Sequence, residues 1–83
     1  MSLHLIFSSA GWRACRIRAQ DEDQIVMLGD GVYSSTDNLP ARVLMLDEDL
    51  KIRGLSGSYT NTIDYPELVR LCVEHHPVVS WNE

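Results

Sequence analysis

The chain has 83 residues, 45% of them hydrophobic, which is room for one domain; a domain this small buries only about 60% of the surface its unfolded chain exposes, so support from a partner subunit is expected. Twelve acidic residues stand against six arginines and the single lysine, Lys51, for a net charge of −5, which argues against a dedicated binder of tRNA or DNA. No apolar run approaches the ~20 residues of a membrane span, and the composition is that of a folded rather than a disordered chain.

Leu3 to Phe7 reads as a first strand. No basic residue precedes it and it is too short for a signal-peptide core, so a cytoplasmic location is expected. Cys15 and Cys72 are then separate reduced thiols. Ser8 and Ser9 offer caps, Gly11 loosens the junction, and the spacing predicts a helix from about Trp12 to Ala19. Trp12, Cys15 and Ala19 fall on its inner face, leaving Arg13, Arg16 and Arg18 as a solvated basic cluster. Asp21-Glu22-Asp23 leads into a second strand, Gln24 to Leu28, whose apolar run lacks polar alternation and is expected to be covered on both faces. Gly29-Asp30-Gly31 turns the chain at the carboxyl end of that strand, the edge where open α/β sheets bind ligands and partners.

Val32 to Ser35 is predicted as a single helical turn, broken by Asp37-Asn38-Leu39-Pro40. A third strand, Arg42 to Leu46, runs into Asp47-Glu48-Asp49, with Asp49 expected to cap a brief helix through Lys51 to Arg53 that Gly54 stops. Gly54 to Thr62 reads as a surface loop. Asp64 opens the clearest helix: it pairs with Glu67 as in a capping box, Pro66 sits in the first turn, and Ile63 staples onto Leu68. Leu68, Leu71, Cys72 and His75 share the inner face of that helix. His76-Pro77 ends it, and Val78 to Trp81 forms a last strand. The pattern predicts an α/β fold, a small, mostly parallel sheet of four to five strands flanked by helices, as a single domain over residues 1–83.

Cys15 is the one candidate nucleophile. Near a helix start and beside arginines its thiolate would be favoured, the form that attacks a sulfane sulfur. The alternative is that it packs as a small apolar residue beside Trp12 and Ala19. Cys72, His75 and His76 lie on one helix end with no second ligand pair, so no metal is expected. Asp30 with Asp47, Glu48 and Asp49 resembles a phospho-receiver pocket only superficially. Such a site needs an acidic pair after the first strand and a lysine after the last, where this chain has Ser8-Ser9 and Trp81-Asn82. Gly29-Asp30-Gly31 also lacks the glycine spacing and lysine of phosphate-cradling loops, and no cofactor is expected.

Three segments, LGDGVYSS (Leu28 to Ser35), LMLDEDLKIRGL (Leu44 to Leu55) and IDYPELVRLCVEH (Ile63 to His75), followed by Trp81, resemble the DsrH/TusB family of small sulfur-relay proteins. The resemblance runs from about Gln24 to the end. It rests on the Asp30-Gly31 pair after the second strand, on Leu46, Asp49, Arg53 and Gly54 in an L-x-x-D-x-x-x-R-G pattern, and on Asp64-Tyr65 opening a helix with Val69. It implies a DsrE-like fold and a place in a heterohexamer with TusC-like and TusD-like (DsrF/DsrE) homologous subunits. There, persulfide sulfur passes from a cysteine of the TusD-type subunit to a TusE-like carrier, towards 2-thiolation of the tRNA wobble uridine. The subunit this chain resembles is mainly structural in that pathway. Some DsrH members of sulfur-oxidation complexes carry a first-helix cysteine, which makes Cys15 a possible persulfide carrier; the interval between the first two strands is shorter here than is usual for the family. A third alternative is an oligomeric interaction module without a sulfur role. The Gly29-Asp30-Gly31 turn is then structural, and Asp30→Ala is expected to damage folding or assembly before any chemistry.

Overall fold

The computed structural model describes residues 2–33, 42–57, 59 and 61–82. Five strands form one sheet: β1 (Leu3–Ile6), β2 (Gln24–Met27), β3 (Val43–Leu46), β4 (Thr62–Ile63) and β5 (Val78–Trp81), in the order β4-β3-β2-β1-β5. Every pairing is parallel, with Leu5 beside Val26 and Ser80, Val26 beside Leu44, and Met45 beside Thr62. The α/β fold is thus as expected, and the sheet is wholly rather than mostly parallel. A two-residue edge strand, β4, lies where the sequence reads as loop, held as Met45 N–H donates to Asn61 O at 2.9 Å.

Alternation along β2 divides the interior. Ile25 and Met27 join Ile6, Val43 and Met45 under helix α1 (Ser9–Arg18), the 3-10 turn Gly29–Tyr33 and helix α2 (Asp47–Ile52), through Trp12, Cys15, Val32 and Leu50. Val26 and Leu28 face the other way, joining Leu3 and Leu46 beneath Leu68 and Leu71 of helix α3 (Tyr65–Glu74). Burying each such side chain contributes roughly 1.5–3 kcal/mol, which is why a central strand carries apolar residues on both faces.

Helix α1 starts at Ser9, one turn before the predicted Trp12, because Ser8 caps it: its hydroxyl accepts the Gly11 N–H at 3.0 Å. Gly11 does not loosen that junction. It is buried inside the helix, where a Cβ would lie 2.7 Å from Trp81 O, so its lack of a side chain lets α1 close onto β5. Helix α3 opens as the sequence indicates, with Asp64 accepting the Glu67 N–H at 3.0 Å, Ile63 packed on the cluster that holds Leu68, and Pro66 in the first turn. The 3-10 turn begins at Gly29, earlier than the predicted Val32; Ser34, Ser35 and the Asp37 to Pro40 breaker lie outside the described residues.

The expectation for Asp49 needs correction. Helix α2 begins at Asp47, directly off β3, with Leu46 at the cap position and no side-chain cap bond. Asp49 therefore sits inside the first turn, free to point its carboxylate across to the end of β2. Gly54, at φ +70°, stops the helix as expected.

Candidate functional site

Two places could carry chemistry: the thiol on α1 and the carboxyl edge of β2 and β3. Cys15 lies on the inner face of α1 with Trp12 and Ala19, as its spacing predicts, and none of its surface is exposed. Burial and, to a smaller extent, the Asp23 carboxylate push its thiol up to about 11, with Arg42 only partly opposing them. Arg13, Arg16 and Arg18, the expected source of thiolate stabilisation, lie on the exposed side of the helix instead. Arg16 stacks over the Trp12 ring at 5.8 Å and Arg18 over the Trp81 ring at 6.0 Å. The thiol is held neutral and away from solvent, the opposite of what attack on sulfur requires.

Near Cys15 runs a buried polar chain. Trp81 Nε1–H donates to His4 Nδ1 at 3.1 Å, so the hydrogen on His4 belongs to Nε2, which lies 2.9 Å from Asp23 Oδ2. Asp23 also accepts the Ser2 N–H at 2.9 Å and the Gln20 N–H at 3.0 Å. Burial opposes its ionisation, but those two backbone donors and His4 more than offset that and hold the carboxyl down at about 2. Sequence reasoning passed over this group because its members lie at residues 4, 23 and 81; a histidine inside an apolar strand was the available signal. The chain links β1, β5 and the α1–β2 connection, and every acceptor and donor named in it is used internally.

At the sheet edge, Gly29 takes φ +55° and donates its N–H to Asp49 Oδ2 at 2.6 Å. Arg53, one turn beyond Asp49, donates Nε and Nη2 to Asp30 Oδ1 at 3.2 and 3.0 Å and lies with its guanidinium 5.8 Å over the Tyr33 ring. It also reaches Asp49 Oδ1, 3.7 Å away. Gly31 passes so close to β1 that a Cβ there would run into the Ile6 carbonyl oxygen. The glycines, Asp30, Asp49 and Arg53 therefore form one latch between the 3-10 turn and α2. Of the four carboxylates whose likeness to a phospho-receiver pocket is only superficial, Asp49 is spent on a backbone N–H, Asp30 on a guanidinium and Asp47 on Lys51 at 3.1 Å.

On α3, Cys72 is half-buried against the apolar cluster, His75 is buried with Nδ1 2.9 Å from Leu71 O, and His76 is exposed. Among the described residues no three His, Cys, Asp or Glu side chains converge as a metal site.

The latch residues are also the ones that carry the family pattern, Asp30-Gly31 from one segment and Asp49 with Arg53 from the next. A family model described as "DsrH like protein" matches residues 7–78. The chain belongs to the DsrH family. Among curated relatives it is similar to "Protein TusB" of Escherichia coli O81 (strain ED1a) and of Escherichia coli O6:K15:H31 (strain 536 / UPEC), 38% identical over 71 residues that cover 71% of this chain and 75% of each relative. "Protein TusB" of Shigella boydii serotype 18 shows the same identity and coverage. For a DsrH-family chain of this length, the latch accounts for two separated motifs by one physical cause: together they join the ends of β2 and β3.

Proposed function

We propose that this chain is a mainly structural subunit of a TusBCD-like sulfur-relay complex, supporting 2-thiolation of the tRNA wobble uridine in the cytoplasm while a cysteine of a homologous subunit carries the persulfide. The observation that supports this reading is the state of Cys15 in a DsrH-family chain: fully buried, with its thiol pushed up to about 11. A sulfur carrier must present a thiolate to a donor and then to an acceptor, and burial denies it both. The partners are TusC-like and TusD-like chains, with a TusE-like carrier acting downstream. The exposed side chains of Val69, Val73 and Ile52 fit a domain that meets other subunits.

Coexpression with TusC-like and TusD-like chains should yield a stable complex. Incubated with a cysteine desulfurase and relay donor, that complex should show a persulfide on the TusD-like chain and none on Cys15 by mass spectrometry. Cys15→Ser should leave tRNA 2-thiouridine at wild-type levels, whereas deleting the whole chain should abolish it. A persulfide on Cys15, or loss of thiolation in the serine variant, would favour the carrier reading of a DsrEFH-like complex instead. Unchanged thiolation after deletion would remove the sulfur role altogether.

A further inference from the structure

Of the 7 lysines and arginines in this chain, those outside α1 are all matched by carboxylates. Arg42 faces Asp21 at 3.9 Å, Lys51 faces Asp47 at 3.1 Å, Arg53 faces Asp30 at 3.0 Å and Arg70 faces Glu67 at 2.6 Å. The others, Arg13, Arg16 and Arg18, stand exposed on α1, a helix with no acidic residue, and among the described residues none of them has a carboxylate partner. Asp21 and Glu22 follow the helix, but Asp21 is turned to Arg42 and Glu22 pairs with no cation among the described residues. The helix dipole favours cations in a last turn, which accounts for Arg16 and Arg18 and leaves Arg13 unexplained.

Two of these cations are held in place. The Arg16 guanidinium lies over the Trp12 ring at 5.8 Å and that of Arg18 over the Trp81 ring at 6.0 Å. A guanidinium laid on an indole keeps N–H groups free for a planar acceptor and has already given up part of its rotamer freedom. Between them runs an apolar strip. Opposite the inner face of Trp12, Cys15 and Ala19, the residues at i, i+4 and i+7 are Ala10, Ala14 and Ile17. Ile17 is 83% exposed, more than any other large apolar side chain among the described residues. On the helix surface Arg13 and Arg16 border that strip on one side and Arg18 on the other.

We infer that the outer face of α1 seats one of the homologous subunits, through a surface of that subunit with an apolar centre and carboxylates on either side; the inference rests on the sulfur-relay reading, which supplies the subunits. An apolar centre within a charged rim is the build of a protein interface, and arginine is the cation such interfaces favour. A nucleic acid would use the charges but leave Ile17 in water, and it would meet a chain whose net charge is −5. A second copy is a poorer match, since the acids beside its own apolar α3 face, Glu67 and Glu74, are already engaged with Arg70. For the same reason the α3 face asks no charge of a partner, whereas the α1 face does.

Coexpression with the TusC-like and TusD-like chains tests it. The complex is followed by sedimentation velocity over a dilution series at low and high salt, with circular dichroism confirming that each free variant is folded. Ile17→Asp, and Arg13→Glu combined with Arg16→Glu, should each weaken the complex by about tenfold or more. Arg13→Gln combined with Arg16→Gln should weaken it less and flatten its dependence on salt. A complex that forms equally well with all of these variants overturns the inference and leaves the sulfur-relay reading standing; a wild-type chain that forms no complex removes both. Variants that assemble normally but lose a gel shift of unmodified tRNA given by the wild-type complex would assign the face to nucleic acid and overturn it. Normal assembly together with lost self-association of the free chain would assign the face to a second copy and overturn it equally.

Discussion

At Cys15 burial and the Asp23 carboxylate together outweigh Arg42, and the consequence for pH follows with its sign. The folded thiol titrates at about 11 against an ordinary 9.0. Below pH 9 it is neutral in both states; between these values the unfolded chain releases a proton that the folded chain keeps, so stability falls as pH rises. The loss should reach roughly 2–3 kcal/mol, and Cys15→Ala should remove that alkaline slope in urea titrations taken from pH 8 to 11. Asp23 works at the other end of the scale. Its folded value of about 2 lies below the ordinary 3.8, so its contribution is fully present above pH 4 and is lost as pH falls towards 2. Asp23→Asn should cost about 2 kcal/mol at neutral pH and flatten the acid arm of the same profile. The inward place of Cys15 is legible from the spacing of Trp12, Cys15 and Ala19. Its electrostatics are not, because Asp23 and Arg42 approach it only through the fold.

Among elements, the latch between the 3-10 turn and α2 distributes its load unevenly. Asp49 is buried enough to matter: its carboxylate is the acceptor for the Gly29 N–H at a left-handed residue, and Asp49→Ala leaves that donor without it, a cost of about 1–3 kcal/mol. Asp30 bonds Arg53 with its side chain 73% exposed, and an exposed ion pair contributes less than about 1 kcal/mol, so Asp30→Ala should be the milder change. Chemical denaturation of the two variants checks the order; equal losses would show that Asp30 carries more than its exposure allows. Gly31→Ala should exceed both, at about 3 kcal/mol or more, because its Cβ meets the Ile6 carbonyl rather than a side chain that can move. The strands and the two longer helices were legible because apolar runs and caps are local signals. The misassigned cap at Asp49 and the unrecognised β4 share one cause. Asp49 finds its partner 20 residues away, and β4 is two residues long, defined only by pairing with β3. The latch itself was visible as motifs, but not as a contact between them.

For the whole molecule, the order of the sheet makes the end of the chain a neighbour of its beginning. β5 pairs with β1 along its full length, Leu3 N–H donates to Pro77 O at 3.0 Å, and Phe7 N–H donates to Trp81 O at 3.1 Å. Trp81 also supplies the hydrogen bond to His4 Nδ1, packs against the core on the α1 side and provides the backbone that Gly11 approaches. Removing residues 77–83 would therefore strip β1 of one hydrogen-bonded neighbour, leave a buried histidine nitrogen without its donor, and open a gap beneath α1. Each loss costs on the order of 1–3 kcal/mol, and together they equal much of the 5–15 kcal/mol that holds a small domain folded. Protein ending at residue 76 should thus be largely unfolded or aggregated by circular dichroism and gel filtration. Trp81→Phe, which keeps the strand and most of the packing but not the indole donor, should stay folded with a loss of about 1–2 kcal/mol. A truncated chain that melts like the full one would mean that β1 to α3 is self-sufficient and that β5 only decorates its edge; the pairing of the first and last strands, with β1 inside the sheet rather than at its margin, argues that it is not.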